Sequence, residues 1–375
     1  MGSHPETVIK LVPTLLDEYD KSKEMYASFG KALEGLVRQL LEHAGIRVLD
    51  VTHRIKDRES VKNKIARKSQ GKYRGLRDMT DVCGLRVITY FEDDVKRVCD
   101  IIESEFEIDR DNSIDKSATL EHDQFGYRSV HYVVSNGRVR SGLVEYSKFN
   151  LLSAEIQVRS ILQHAWAEIE HDLGYKTAEA VPLPVKRQFS RLAGLLELGD
   201  QEFTAIRDLV KDYVGQLPSK LNETPSRVEI DAESLLVFVN TDPLVNIIDM
   251  NIAALLGVKL VNSASETAGR RVAPLRMLSI VTIEQLSEAL RENEDVVPIF
   301  AKRWVSFRKN NYKDEEPSVD FTVRGISIFY LLYLLFLRDD RPGVLAEYLK
   351  GNFFPNDALE DDLKKVYSEL PKSQA

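Results

Sequence analysis

The chain has 375 residues, with 51 Lys+Arg against 59 Asp+Glu, 43% apolar and 29% charged residues, and a formal charge of −8. That composition belongs to a soluble globular chain with ample core material, and it excludes a disordered chain, a collagen-like fibre and a disulfide scaffold. Net acidity argues against nucleic-acid binding through bulk charge, and the length suits two domains.

Apolar residues at helical spacing (Leu11, Leu15, Tyr19, then Leu33, Val37, Leu40) predict a helix over 7–43, ended by Gly45. A short strand is predicted at 46–51 and a helix at 57–70. This region is unusually basic: residues 53–77 hold ten Lys/Arg and two acids, a local charge of +8. Such a run is either a solvated helical face or a cradle for polyphosphate or RNA. Strand character follows at 82–91, then a helix at 94–106 and a polar loop at 107–126. Strands are predicted at 129–135 and 153–158, with a hairpin at 137–148 between them. Helices follow at 160–173 and 184–214. The alternation describes an α+β domain built on a mixed sheet.

The polar stretch 216–230, with two prolines, reads as a linker between a domain over 1–215 and another over 231–375. The second domain is read as smaller and α/β, with strands at 235–239 and 278–282 and helices near 243–256, 283–293 and 325–337. Its apolar run Ile326 to Leu337 is too short to span a bilayer and reads as a buried helix. The two cysteines, Cys83 and Cys99, lack metal-ligand spacing and read as reduced thiols. No secretory signal is visible, so a cytoplasmic location is expected. All seven histidines lie at or before His171, which leaves the second domain without a Cys/His zinc site.

Four short motifs carry chemistry. Asp81-Val82-Cys83-Gly84-Leu85-Arg86 puts a carboxylate at the mouth of a strand. Glu155, Gln157 and Arg159 alternate with apolar residues and share one sheet face. Asp81 and Glu155 on neighbouring strands would suit Mg²⁺, which one or two carboxylates hold together with substrate phosphates. Gly126-Tyr127-Arg128-Ser129-Val130-His131 is either a base-stacking loop or an ordinary turn entering a strand. Trp166 to Lys176 is an amphipathic helix end in which Glu170 and His171 are either ligands or a structural pair.

Taken together, and with His53-Arg54-Ile55-Lys56 before a Lys-rich helix, these segments resemble the synthetase domain of the RelA/SpoT alarmone synthetases over about residues 30–215. The resemblance implies a nucleotidyltransferase-like fold and a pyrophosphokinase that moves the β,γ-pyrophosphate of ATP to a 3′-hydroxyl. Carried over residue by residue, Asp81 and Glu155 would hold Mg²⁺, Arg54 and Arg86 would sandwich adenine, and Lys56 and Lys64 would neutralise ATP phosphates. Tyr127 would stack on the acceptor base. His131, Gln157 and Arg159 would line the acceptor side. His164 stands where small guanosine-specific members carry Asn, which puts guanine selectivity in doubt.

Some toxic members of the family modify the 3′-terminal adenosine of tRNA and stop translation. The whole chain resembles their CapRel type, in which the synthetase is fused to its own antitoxin region, a pseudo-zinc finger without metal ligands. In that type a Tyr-x-x-Tyr pair, here Tyr330 and Tyr333, covers the ATP site, and a phage protein such as a capsid protein releases the toxin. Basic residues such as Lys302, Arg303, Arg308 and Lys309 would then help hold tRNA. The alternative acceptor is a guanine or adenine nucleotide, with the second domain as a regulator.

Overall fold

The computed structural model describes residues 5–67, 73–115, 129–173, 182–312, 320–352 and 358–370. Chain contacts divide it into two units, Met1–Asp208 and Leu209–Ala375. The first is organised by helix α1 (Pro5–His43), which buries Leu15, Tyr19, Tyr26, Phe29, Leu33, Val37 and Leu41 along one face. Gly45, at φ +65°, ends it, and Ile46 N donates back to Leu41 O at 2.9 Å.

A five-stranded mixed sheet lies against α1. Its order is β1 (Val48–Ile55), β2 (Cys83–Thr89), β5 (Ala154–Ser160), β4 (Val130–Asn136), β3 (Phe106–Asp115). The β2–β5 pair is parallel and the other pairs are antiparallel. α2 (Arg58–Arg67) follows β1, and α3 (Glu92–Glu105) links β2 to β3. Strand β5 alternates strictly: Ala154, Ile156, Val158 and Ser160 are buried, while Glu155, Gln157 and Arg159 turn to the opposite face.

Two expectations change here. The predicted loop 107–126 is strand as far as Asp115, and residues 116–128 lie outside the described residues. This strand is highly charged because it forms the sheet edge, where charge discourages further pairing. The predicted hairpin at 137–148 is instead two short helical turns, α4 (Arg138–Ser141) and α5 (Val144–Ser147). Arg140 Nη1 donates to Glu105 O at 2.5 Å and ties the first turn to the end of α3.

Helix α6 (Ile161–Asp172) starts directly from β5. Ser160 Oγ accepts from Gln163 N at 3.1 Å, and Gln163 Oε1 accepts from Ser160 N at 3.0 Å, a reciprocal cap. Ser160 also donates to Asp200 Oδ2 at 2.7 Å on α7 (Leu183–Glu223). The junction between the central strand and α6 is thereby held on three sides.

The expected linker at 216–230 is helical as far as Glu223, with a 3₁₀ turn at Pro225–Arg227. Proline does not stop α7 at Pro218 because Leu217 is fully buried in the second core and Leu221 packs against it. The second unit is mainly helical: α8 (Ala232–Thr241), α9 (Pro243–Leu256), α10 (Ser265–Met277), α11 (Ile283–Glu292), α12 (Val296–Asn311), α13 (Ile326–Arg338), α14 (Val344–Asn352) and α15 (Leu359–Ser368). A parallel pair, β6 (Lys259–Val261) with β7 (Phe321–Val323), completes it.

The predicted strand 235–239 is helix, because Asp231 accepts from Glu233 N and Ser234 N at 2.9 and 2.8 Å and nucleates α8. The predicted strand 278–282 is a turn with one bridge, Glu229 to Thr282. Helix α13 is the apolar run, and it is buried as expected. Its first turn is anchored by Asp249, which accepts from Gly325 N and from Ser327 N. Among the described residues no single helix is long and apolar enough to cross a membrane.

Candidate active site

The strand register builds a cleft on the face of the sheet opposite α1. Gly84 on β2 lies between Arg54 on β1 and Glu155 on β5, and Arg86 lies between Thr52 and Gln157. The cleft has a volume of about 450 Å³. Its polar lining includes Arg54, Lys56, Asp81, Arg86, Glu155 and Glu168.

Asp81 anchors one end. Its Oδ2 is 2.9 Å from Lys56 Nζ and 2.6 Å from Lys64 Nζ, and all three side chains are mostly buried. Burial pushes the Asp81 carboxyl up, but the two lysines outweigh it and hold the group below the usual carboxylate range. Its Oδ1 is buried with no hydrogen-bond partner.

Glu155 occupies the middle. Its Oε1 is 2.7 Å from His131 Nδ1 and 3.2 Å from Gln157 Nε2. An ionised carboxylate only accepts, so the imidazole donates through Nδ1. Ser129 Oγ lies 2.9 Å from the other ring nitrogen. Burial raises the Glu155 carboxyl, His131 and Gln157 lower it further than that, and the Asp81 charge opposes them. The net shift is downward. Both carboxylates line the same cleft.

The other end is a cluster of cations around one acid. Arg86 Nη2 lies 3.1 Å from Glu168 Oε1, and His164 Nδ1 lies 3.6 Å from the same oxygen. Burial and then the Arg86 charge lower the Arg159 guanidinium and the His164 imidazole. Arg159 Nε is buried and without a hydrogen-bond partner.

Most of the residues singled out in the sequence therefore meet at one cleft: Arg54, Lys56, Asp81, Arg86, Glu155 and Gln157 line it. Lys64 reaches it through Asp81, His131 through Glu155 and His164 through Glu168. Tyr127 lies outside the described residues. Glu168 and Ser129 were not picked out as site residues. The signal for Glu168 is its i+4 spacing from His164, which puts both on one face of α6. Glu170 is exposed.

Tyr330 and Tyr333 are not surface residues. They are 5% and 2% exposed, in the core of the second unit. The Tyr330 ring packs edge-on against Phe300 and Phe329, and the Tyr333 ring against Trp304 and Tyr348. The sequence expectation places these rings over a nucleotide; in this structure they pack in the core of the second unit.

Among the described residues no group of three His, Cys, Asp or Glu side chains is placed to hold a metal. The donor set at Asp81 and Glu155 fits a hard cation that takes its remaining ligands from phosphates and water, and the orphaned Oδ1 is an available acceptor. Two carboxylates with paired lysines at one end of a nucleotide-sized cleft define a phosphoryl- or pyrophosphoryl-transfer enzyme.

Comparison with known proteins makes this specific. Residues 53–180 match the region found in RelA / SpoT proteins. The GTP pyrophosphokinase YjbM of Bacillus subtilis is 32% identical over 162 residues, covering 43% of this chain and 73% of that protein. The GTP pyrophosphokinase YwaC of the same organism is 28% identical over 156 residues, 41% of this chain and 71% of that one. The structure of the small alarmone synthetase 1 from Bacillus subtilis bound to its product pppGpp is 29% identical, covers 52% of this chain and 99% of that chain, and gives a TM-score of 0.43. The chain belongs to the RelA/SpoT family, and it is a pyrophosphokinase of the RelA/SpoT synthetase type.

Proposed function

We propose that the cleft transfers the β,γ-pyrophosphate of ATP to the 3′-hydroxyl of the 3′-terminal adenosine of tRNA, with AMP as the leaving group, and so inhibits translation. The observation that carries the transfer reading is that Asp81, flanked by Lys56 and Lys64, shares a cleft with Glu155. In this reading Lys56 and Lys64 exchange Asp81 for the donor phosphates. Arg54 and Arg86 hold the adenine between them. Asp81 and Glu155 hold Mg²⁺, which when bound neutralises phosphate charge. Glu155, oriented by His131, accepts the proton of the attacking 3′-hydroxyl. Gln157, Arg159, His131, His164 and Tyr127 form the acceptor side. Positioning and charge neutralisation supply most of the rate in such transfers.

Two features support tRNA as the acceptor. His164 stands where Asn is expected for guanosine. In the second unit, a groove of about 630 Å³ is lined by Lys302, Arg303, Ser306 and Asn310, among others, and Lys302, Arg303 and Lys309 are exposed. A second reading, a guanine nucleotide as acceptor, is favoured by the relatives, which are named GTP pyrophosphokinases. The second unit, with its own core, is read as a regulatory antitoxin domain of a cytoplasmic phage-defence protein, relieved by a phage capsid protein.

The test is transfer from γ-labelled ATP to tRNA, GTP or GDP, with and without phage capsid protein. Label entering tRNA supports the reading. Label entering only the free nucleotide replaces it with the second one. Transfer that the capsid protein leaves unchanged removes the phage trigger.

A further inference from the structure

We propose that Glu168 selects the donor base: its carboxylate accepts a hydrogen bond from the 6-amino group of an adenine stacked on Arg86. The inference rests on the donor site proposed above. It starts from the polarity of the cleft. Asp81, Lys56 and Lys64 gather at one end, and Glu155 lies on β5 beside Gly84. Arg86 is the fourth residue of β2, which begins two residues after Asp81, and at about 3.3 Å per residue the strand from Cys83 to Arg86 alone spans roughly 10 Å. An extended nucleoside triphosphate reaches at least that far from terminal phosphate to base. With phosphates at the lysines, the base lies at Arg86.

Three carboxylates line the cleft among the described residues, and Glu168 is the one at the base end. There a carboxylate does not repel the triphosphate. Its Oε1 lies 3.1 Å from Arg86 Nη2, so it stands beside the group on which the base would stack. The side chain is half exposed, at 51%, and its two neighbours leave acceptor capacity on a group with about four lone-pair sites. Adenine offers an N–H donor at position 6. Guanine offers a carbonyl oxygen there, which a carboxylate repels.

The experiment separates this role from one in which Glu168 only steadies Arg86. Binding of ATP and of purine riboside triphosphate, which lacks the 6-amino group, is measured by calorimetry on the full chain, wild type and Glu168→Ala. A hydrogen bond to a charged group gives a preference of about tenfold or more. The wild type should therefore bind ATP about tenfold more tightly than the analogue, and Glu168→Ala should bind both alike. Equal ratios in the two proteins would assign Glu168 to steadying Arg86 and overturn the proposal. No preference in the wild type would overturn it as well. Arg86→Ala tests the underlying site: ATP binding unchanged in that variant removes the donor reading itself and the proposal with it.

Discussion

Nδ1 of His131 lies 2.7 Å from Oε1 of Glu155, across the β4–β5 pair from neighbouring register positions. Burial alone would raise the Glu155 carboxyl, and the imidazole is the first of the groups that reverse this. His131→Ala should therefore raise the Glu155 pKa. The acid limb of the transfer rate against pH should move to higher pH in the variant. An acid limb that stays in place would show that His131 does not set the charge of Glu155. The sign for stability follows from the lowered folded pKa. The stabilisation is present above the unfolded value of about 4.3 and is lost as pH falls through the folded one. The melting-temperature gap between wild type and variant should narrow as the solution is acidified through that range.

Asp81→Asn keeps the shape of the side chain and removes the charge that the two lysines neutralise. Transfer should fall about 100-fold or more, the scale seen when one preorganised electrostatic group is lost. The far-ultraviolet circular dichroism should be unchanged, because the group faces the cleft. A variant with near wild-type kcat would exclude Asp81 from the reaction. Removing either lysine should raise the Asp81 pKa, which NMR titration of the carboxyl can follow.

Two glycines on α1 should respond in opposite directions. A Cβ on Gly30 would approach His53 Cδ2 to 2.7 Å and Cys83 Sγ to 3.2 Å. His53 cannot give way easily, since its Nδ1 is 2.5 Å from Glu34 Oε2 and its backbone N donates to the same oxygen at 3.2 Å. Gly30→Ala should cost about 1–3 kcal/mol by overpacking. Gly35 has nothing within 4 Å, so Gly35→Ala should stabilise the helix by about 0.5–1 kcal/mol. Thermal melts of the two variants that moved in the same direction would refute the packing at Gly30.

Tyr330 and Tyr333 give a test of the second core. Truncating a buried aromatic costs about 3–5 kcal/mol. The double Ala variant should lose hydrogen-exchange protection across α9, α12 and α13, while the sheet of the first unit keeps its protection. Full protection in α13 would mean that the rings are not structural. Tyr330→Phe with Tyr333→Phe keeps the packing and separates the contribution of the hydroxyls.

The cleft was legible because its chemistry is carried by short, local patterns. The alternation at 154–160 is nearly a statement of which side chains turn to the cleft face of the sheet, and Asp81 precedes a plain strand. What escaped the sequence depends on partners distant in the chain. Glu34 and His53 pair between a helix and a strand, and no local period announces it. Glu168 has meaning only beside Arg86. The segment 235–239 has strand composition, yet the cap at Asp231 and the surrounding apolar helices make it helix, a case of tertiary context overriding propensity. The Tyr-x-x-Tyr spacing by itself does not distinguish a helix packed in its own core from one with a working face.

The parallel pairing of β2 with β5 has a consequence for the order of events during synthesis. Asp81 is made early and Glu155 late, with α3, β3 and β4 in between. No stretch of nascent chain holds both carboxylates until β5 has left the ribosome and inserted between two strands already made. The Ser160–Asp200 bond needs α7 as well. A growing polypeptide therefore cannot bring the two carboxylates into one cleft until the first unit is almost complete.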